Sequence, residues 1–193
     1  MTISRDSLLT LEAYEKSRAE IRSNAIKHKN LRKVFIGEHV LMQFEDETTI
    51  RYQIQEMLRA EKTFDEQGIL EELEAYNPLL PEGSNWKVTQ MIEYTDIEIR
   101  KQKLVELRGI ERHTYVKIAD HEKVYAVADE DMPRETEEKT SAVHFLRFEF
   151  TAAMVSSAKQ GDKIQIGIDL PAYHEKAERL SKETIDSLIA DFL

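Results

Sequence analysis

The 193-residue sequence contains no cysteine, which excludes disulfides, thiolate nucleophiles, cysteine-ligated zinc and iron–sulfur clusters held by the chain itself. Glycine-rich phosphate loops are also absent, because nothing matches the dinucleotide-binding or P-loop patterns. No tract rich in glycine, proline or serine divides the chain, and no segment repeats at a fixed period. We therefore expect a single domain over residues 1–193.

Long apolar runs are missing as well. The longest have only a few residues, whereas a membrane-spanning helix needs about 20. The first residues, MTISRDSLLTLEAYEK, show neither the basic nor the apolar region of a signal peptide. These features predict a cytoplasmic protein with no membrane partner.

Positive charge is in deficit. The chain has 37 Asp and Glu residues against 27 Lys and Arg residues, which gives a formal net charge of −10. Proteins that bind nucleic acid usually carry clustered lysine and arginine, so this balance argues against nucleic acid as a main partner. Hydrophobic residues make up 41% of the chain, enough to build a core, and we expect a folded domain.

Apolar residues recur at helical spacing in some segments and at strand spacing in others. The pattern predicts hairpins around Gly37 and Asp120, strands over 86–94 and 142–150, and helices over 7–27 and from Thr48 to Gly68. A last helix should begin at Ser181. Strands and helices do not alternate strictly. We therefore expect an α+β fold with a mainly antiparallel sheet of about six to seven strands and four to six helices packed around it.

Metal-ligand spacings are lacking. The six histidines include no pair three or four residues apart, and the Glu-x-x-His motif of di-iron bundles does not occur. His174 and Glu178 are one helical turn apart, but the segment follows Pro171 and can equally be extended. We expect no metal site, and the sequence leaves the cofactor unknown.

Five polar residues stand out because they accompany apolar positions of a predicted helix and a predicted strand. Arg51, Glu56 and Arg59 flank the apolar stripe of the helix, and His144 and Arg147 lie in the strand over 142–150. If that strand is central, its polar groups are partly buried and need partners. Guanidinium groups present planar donor forks suited to carboxylate or phosphate ligands.

Three interpretations of these five residues remain open. Arg147 can pair with a helix acid such as Glu56 while His144 is a hydrogen-bonded core histidine. Alternatively, Arg51, Arg59 and Arg147 form a pocket for an anionic ligand. In the third interpretation, His144 and Glu56 belong to a metal or acid–base site.

Two charged segments are equally open to interpretation. The segment 129–138 reads DEDMPRETEE and is expected to be a solvated acidic loop, with a lid or partner-docking element as the alternative. It lacks the spacing and glycine of a calcium-binding EF-hand. The run from Arg22 to Lys33 has five Lys or Arg residues and no acid, which suits the C-terminus of a helix or a phosphate-binding patch.

The chain resembles a bacterial family of uncharacterised proteins of about this length, known only as a domain of unknown function. The resemblance is carried by TIRYQIQEMLRAE at 49–61, YNPLLPEGSNWK at 76–87 and DEDMPRETEEKTSAVHFLRFEF at 129–150, and it covers nearly the whole chain. Genes of this family often lie near those for rubrerythrin and an iron–sulfur oxidoreductase, which implies a link to redox or peroxide defence. The family brings no catalytic residues to carry over.

These observations leave three functional hypotheses. The preferred one is a non-enzymatic accessory or anionic-ligand-binding protein, with a protein partner from a redox system. The second is a metal-dependent or acid–base enzyme that uses His144 and Glu56. The third is a structural or protein-interaction module that docks through the acidic loop or the basic run.

Overall fold

A computed structural model describes residues 2–177 and 179–193. Over these residues the chain forms six α-helices, three short 3-10 helices and nine strands. The helices are α1 (Leu11–Leu31), α2 (Glu47–Glu61), α3 (Glu66–Tyr76), α4 (Ile97–Glu106), α5 (Ala152–Lys159) and α6 (Lys182–Ile189). The 3-10 helices cover Arg5–Ser7, Asn77–Leu79 and Ile110–His113. The strands are β1 (Lys33–Ile36), β2 (Val40–Glu45), β3 (Asn85–Ile92), β4 (Thr114–Ile118), β5 (Val124–Tyr125), β6 (Val127–Ala128), β7 (Val143–Glu149), β8 (Ile164–Leu170) and β9 (Tyr173–Lys176).

The strands form two antiparallel sheets rather than the one expected from the sequence. The first has the order β1-β2-β3-β7-β6 and the second the order β5-β4-β8-β9. The α+β class is confirmed, and so is the interior position of β7, which pairs with β3 on one side and β6 on the other. The chain crosses from the second sheet to the first between β5 and β6, which are separated by Ala126 alone.

The larger hydrophobic cluster lies between the inner faces of the two sheets. Phe44, Trp86 and Phe148 of the first sheet belong to the same cluster as Val116 and Ile166 of the second. Side chains alternate between the faces of a strand, so every second residue of β3 and β7 points into this cluster. Such burial of apolar surface contributes roughly 25 cal/mol per Å² and is the main stabilising term of the fold.

A smaller hydrophobic cluster holds the N-terminal segment against α2 and α3. Ile3 and Leu8 pack there with Ile50, Ile54 and Leu73. Asp46 accepts a hydrogen bond from the backbone N–H of Thr49 at 2.9 Å and so begins α2, and the Thr49 hydroxyl also donates to Glu45 of β2 at 2.6 Å. These contacts place α2 beside the outer face of the first sheet, the face turned away from the second sheet.

Several element boundaries differ from the sequence expectation. The α2 helix ends at Glu61, where Lys62 adopts a left-handed conformation, and Gly68 lies in the first turn of α3 instead of ending α2. The hairpin at Gly37 has three loop residues rather than two, since Ile36 pairs directly with Val40. The Tyr173 hydroxyl from the second sheet donates to the Ile36 carbonyl at 2.6 Å, so the turn is held by a residue far away in sequence.

One buried guanidinium joins the end of α1 to the first sheet and to the C-terminal helix. The Arg32 side chain is 1% exposed and donates to the carbonyl oxygens of Phe44, Glu45 and Ser187 at 2.7–3.2 Å. It also pairs with the Asp191 carboxylate at 2.5 Å. Arg32 comes from the basic run of the sequence, and its burial removes it from any surface patch that the run could form.

Replacing Arg32 with methionine should lower the free energy of unfolding by about 3–5 kcal/mol, because Asp191 would become an unpaired buried charge. The double variant Arg32→Met, Asp191→Leu should recover part of that loss, since it removes the orphaned carboxylate too. Urea unfolding followed by the fluorescence of Trp86, the single tryptophan, measures both variants. A single variant as stable as the wild type would contradict this role of Arg32.

Candidate functional site

The three helix residues singled out in the sequence face α1 and the N-terminal segment. Glu56 accepts hydrogen bonds from the Tyr14 hydroxyl at 2.6 Å and from both Nε and Nη2 of Arg18 at 2.8 and 2.7 Å. Arg59 donates to Glu15 at 2.6 Å, and Arg51 pairs with Glu47. Each of these three charges is thus matched by an opposite charge nearby.

These contacts change the protonation equilibrium of Glu56. The bidentate hydrogen bond from Arg18 is the main cause that lowers the pKa of Glu56 to about 2, and it prevails over the opposing effect of burial. A carboxylate with so low a pKa is a poor general base near neutral pH. Its position favours a structural role between α1 and α2.

His144 points into the protein from the inner face of β7 and is 0% exposed. Its Nδ1 lies 2.6 Å from Oδ2 of Asp129, and its Nε2 lies 2.8 Å from Oγ1 of Thr140. A carboxylate only accepts, so Nδ1–H donates to Asp129, while Nε2 shares a hydrogen bond with the Thr140 hydroxyl. We call these three residues the histidine chain.

In the histidine chain a carboxylate, an imidazole and a hydroxyl are linked by hydrogen bonds in the same order as in a hydrolase triad. Unlike such a triad, the histidine chain is not accessible to a substrate. Thr140 is 1% exposed, so no substrate can reach its hydroxyl while the surrounding segment is closed. Near it, Glu111 is 2% exposed, and burial raises the pKa of that carboxyl. His144 and Glu56 have no hydrogen-bonding partner in common among the described residues, so the structure does not bring them together as an acid–base pair.

Arg147 lies on the opposite face of β7, two residues along from Phe145 on the same side of the strand. Its Nε and Nη2 donate to both carboxylate oxygens of Glu130 at 2.8 and 2.9 Å, and Nη1 donates to Glu149 at 2.9 Å. The hydrogen bonds from Arg147 are the main cause that lowers the pKa of Glu130. A guanidinium has five N–H groups, so two of them remain for a further acceptor.

Lys87 of β3 stands directly opposite Arg147 in the sheet register. Its side chain is 13% exposed, and its nearest acidic partner is Glu82, at 3.5 Å between Nζ and Oε2. Among the described residues its ammonium group makes no hydrogen bond shorter than that contact. Residues directly opposite on adjacent strands have neighbouring side chains, so Lys87 and Arg147 form a pair of cations on the outer face.

A groove of about 420 Å³ opens between this pair of cations and helix α3 with the turn that follows it. On the helix side, Glu72, Ala75, Tyr76 and Leu79 line it at successive helical positions. On the sheet side lie Lys87, Phe145, Leu146 and Arg147. The loop before β7 adds Glu130 and Asp131, and the turn after α3 adds Pro78. We call this the α3 groove. A concave site with an apolar lining and a few charged groups is typical of small-molecule binding.

The acidic loop is mostly exposed, as expected, but several of its acids are paired with basic side chains. Asp129 holds His144, Glu130 holds Arg147, and Asp131 pairs with Arg134 of the same loop. Glu135 accepts from Arg112 at 2.6 Å. Asp129 and Glu130 therefore position His144 and Arg147, one on each face of β7, and the sequence did not reveal this role of the two acids.

Lys87 and Glu72 were also missed, although a signal for each existed. Lys87 occupies an alternate position of a recognisable strand, which shows that it faces away from the core but not which residue it meets. Glu72 lies beside Leu73 of the apolar stripe of α3, and only the packed structure shows that it faces a groove.

The described residues contain no group of three or more His, Cys, Asp or Glu side chains placed to hold a metal ion. His174 lies in β9, so its segment is extended, while Glu178 is outside the described residues. None of the helices in the described part of the chain combines the length and apolar character that crossing a bilayer requires.

These features define an α+β protein with two antiparallel sheets and a small-molecule-sized groove on the outer face of one of them. The chain belongs to the family described as protein of unknown function (DUF3501), whose profile matches residues 2–192. The resemblance to a family of unknown function is therefore confirmed. The link to redox defence through neighbouring genes stays a prediction.

The chain is also similar to a solved structure from Burkholderia pseudomallei K96243, described as a novel protein of unknown function. The two are 52% identical, the match covers 100% of each chain, and the TM-score is 0.95. Among curated proteins, none is significantly similar to this chain.

Replacing Glu56 with glutamine should lower the free energy of unfolding at pH 7 by about 1–2 kcal/mol, allowing for partial exposure. The folded-state pKa of about 2 is below the ordinary 4.5, so the stabilisation is complete above pH 4.5 and is lost as the pH falls toward 2. Urea unfolding across this range should therefore show a steeper acid loss in the wild type than in the variant. Glu15→Gln, which removes a more exposed ion pair, serves as the control and should change little; equal acid profiles for the wild type and Glu56→Gln would contradict the assignment.

Replacing Thr140 with valine should destabilise the protein by about 1–3 kcal/mol, because the buried Nε2 of His144 loses its 2.8 Å hydrogen bond to the Thr140 hydroxyl. Thermal unfolding measures the effect. Thr48→Val is the matched control at an exposed helical position and should stay close to the wild type. Equal stability of both variants would show that the histidine chain does not secure the loop.

Proposed function

We propose that this protein is a non-enzymatic binding protein for a small organic carboxylate, which it holds in the α3 groove. The observation that carries the proposal is the pairing of Lys87 with Arg147 across β3 and β7, above a largely apolar lining. The anionic-ligand hypothesis is thus kept, but the binding site is now the α3 groove. Arg147 remains in the site, while Arg51 and Arg59 lie on α2 and pair with Glu47 of the same helix and Glu15 of α1.

The geometry supports binding because the cations are held in place before a ligand arrives. Glu130 and Glu149 fix the guanidinium of Arg147 through three hydrogen bonds, which reduces the side-chain entropy lost on binding. Two of its N–H groups and the Lys87 ammonium remain as donors. A carboxylate suits this set, since it accepts up to about four hydrogen bonds through two oxygens.

The charge of the lining argues for a singly charged group over a phosphate. Glu72, Glu130 and Asp131 oppose Lys87 and Arg147, three acids against two bases. A polyanion would be repelled by this balance, whereas one carboxylate needs only the two cations beside it. Apolar side chains around them can cover the rest of a small organic ligand and strengthen the charged contacts by excluding water.

Catalysis finds less support than binding. The histidine chain, whose groups are linked as in an acid–base site, is closed to solvent. Glu130, the acid of the groove nearest the cations, forms an ion pair with Arg147. We also propose that the chain acts as one domain, because the Thr49 hydroxyl of α2 donates to Glu45 of β2 and so connects the helices of the smaller hydrophobic cluster to the first sheet. The cytoplasmic location and a redox-system protein partner remain predictions.

Lys87→Met should weaken carboxylate binding by about tenfold or more, the effect of losing one charge-assisted contact. A thermal-shift screen of aliphatic and aromatic monocarboxylates, followed by calorimetric titration of the best ones, provides the measurement. Lys101→Met removes an exposed lysine of α4 and should leave the affinity unchanged. The proposal fails if no carboxylate stabilises the wild type, or if both lysine variants bind as the wild type does.

A further inference from the structure

Glu72 belongs to the helix side of the α3 groove, and one oxygen of its carboxylate lacks a hydrogen-bond partner among the described residues. Oε2 of Glu72 is shielded from solvent and has no hydrogen-bond partner in the part of the chain that the structure describes. A buried polar atom left in this state costs about 1–3 kcal/mol, and more when it is charged. Most buried polar groups in proteins have partners, so an exception that lines a groove points to a missing ligand group.

The electrostatic surroundings of Glu72 favour a cationic partner. Burial is the main cause that raises the pKa of this carboxyl, and the nearby Glu61 adds to it. An ammonium group placed beside Glu72 would relieve both effects, because it supplies hydrogen-bond donors and a compensating positive charge. Lys87 and Arg147 do not do so, since their observed partners are Glu82, Glu130 and Glu149.

The two sides of the α3 groove therefore complement opposite charges. Lys87 and Arg147 lie on the sheet side and Glu72 on the helix side, with Tyr76 and Phe145 among the apolar groups of the lining. A ligand with one positive and one negative group would match both sides and leave no charge unpaired. A ligand with a carboxylate alone would leave Glu72 without a partner.

We propose that the natural ligand is a small zwitterion, an amino acid or a related amino carboxylate, whose ammonium group binds Glu72 and whose carboxylate binds Lys87 and Arg147. This inference rests on the proposed carboxylate site and adds the second charged group. It also accounts for Glu72 in the lining, an acid for which a carboxylate ligand alone supplies no partner.

The test compares each amino carboxylate with the matched carboxylate that lacks the ammonium group. Suitable pairs are phenylalanine with 3-phenylpropanoate, leucine with 4-methylpentanoate, and 6-aminohexanoate with hexanoate. Calorimetric titration of the wild type should show, for at least one pair, about tenfold tighter binding of the amino compound. In Glu72→Gln this preference should disappear, while the affinity for the deaminated compound should hardly change.

Glu71→Gln is the matched control, because Glu71 is the exposed neighbour of Glu72 on the same helix. It should keep the preference for the amino compound. Thermal unfolding without ligand checks that all variants are folded, and the retained affinity of Glu72→Gln for the deaminated compound checks that the groove is intact.

The outcomes separate this inference from the proposed function. Equal binding of amino and deaminated compounds, or a preference that survives in Glu72→Gln, overturns the zwitterion and leaves the carboxylate site standing. Hexylammonium provides the remaining arm. If it binds through Glu72 while no carboxylate binds, the groove is a cation site, and both the carboxylate site and the zwitterion are wrong.

Discussion

The buried guanidinium of Arg32 connects the end of α1 to the first sheet and to α6, and the arrangement of these elements depends on it. It satisfies carbonyl groups at the end of β2 and in α6, and it neutralises Asp191 at the C-terminal end of the chain. Next to it, Trp86 donates its indole N–H to the Leu188 carbonyl at 2.9 Å and stacks on Phe192. The C-terminal helix is thus fastened to the first sheet by directional polar contacts as well as by apolar packing.

Burying the ion pair of Arg32 and Asp191 costs free energy, because the tightly packed region excludes water from the carboxylate. Burial raises the pKa of Asp191 to about 6, even though Arg32 pulls it in the opposite direction. Dehydration of the carboxylate therefore offsets much of the Coulomb attraction of the pair. What the pair contributes is geometry, because a guanidinium with several carbonyl partners permits only one arrangement of the three elements around it.

The alternation of side chains along β7 explains how one short strand serves two purposes. His144 points inward and ties down the acidic loop through Asp129, whereas Arg147 points outward and is fixed by the next loop residue, Glu130. Asp129 has a positive φ of 52°, a conformation that aspartate tolerates better than most residues, and it also accepts the Phe145 N–H. The position of Glu130, and with it that of Arg147 on the outer face, thus depends on the polar contacts of the inner face.

Much of the local structure could be predicted because it depends on neighbours in sequence. The hairpin at Gly37, the cap at Ser181 and the interior strand 143–149 all follow from residues within a few positions of one another. Where prediction failed locally, a stronger cap was close by: Asp46 caps α2, two residues before the Thr48 at which the helix was expected to begin. The absence of cysteine excludes thiol chemistry by composition alone.

The candidate site could be predicted only in part, since Arg147 was identified but its companions were not. Lys87 lies 60 residues earlier and Glu72 comes from a helix, so no local pattern links them to Arg147. Strand register and helix packing bring them together, and both are set by the burial of apolar surface summed over distant segments. Chain order therefore determines the elements and their caps. Tertiary packing decides which charged side chains meet across the α3 groove, because residues that are distant in sequence come into contact only in the folded chain.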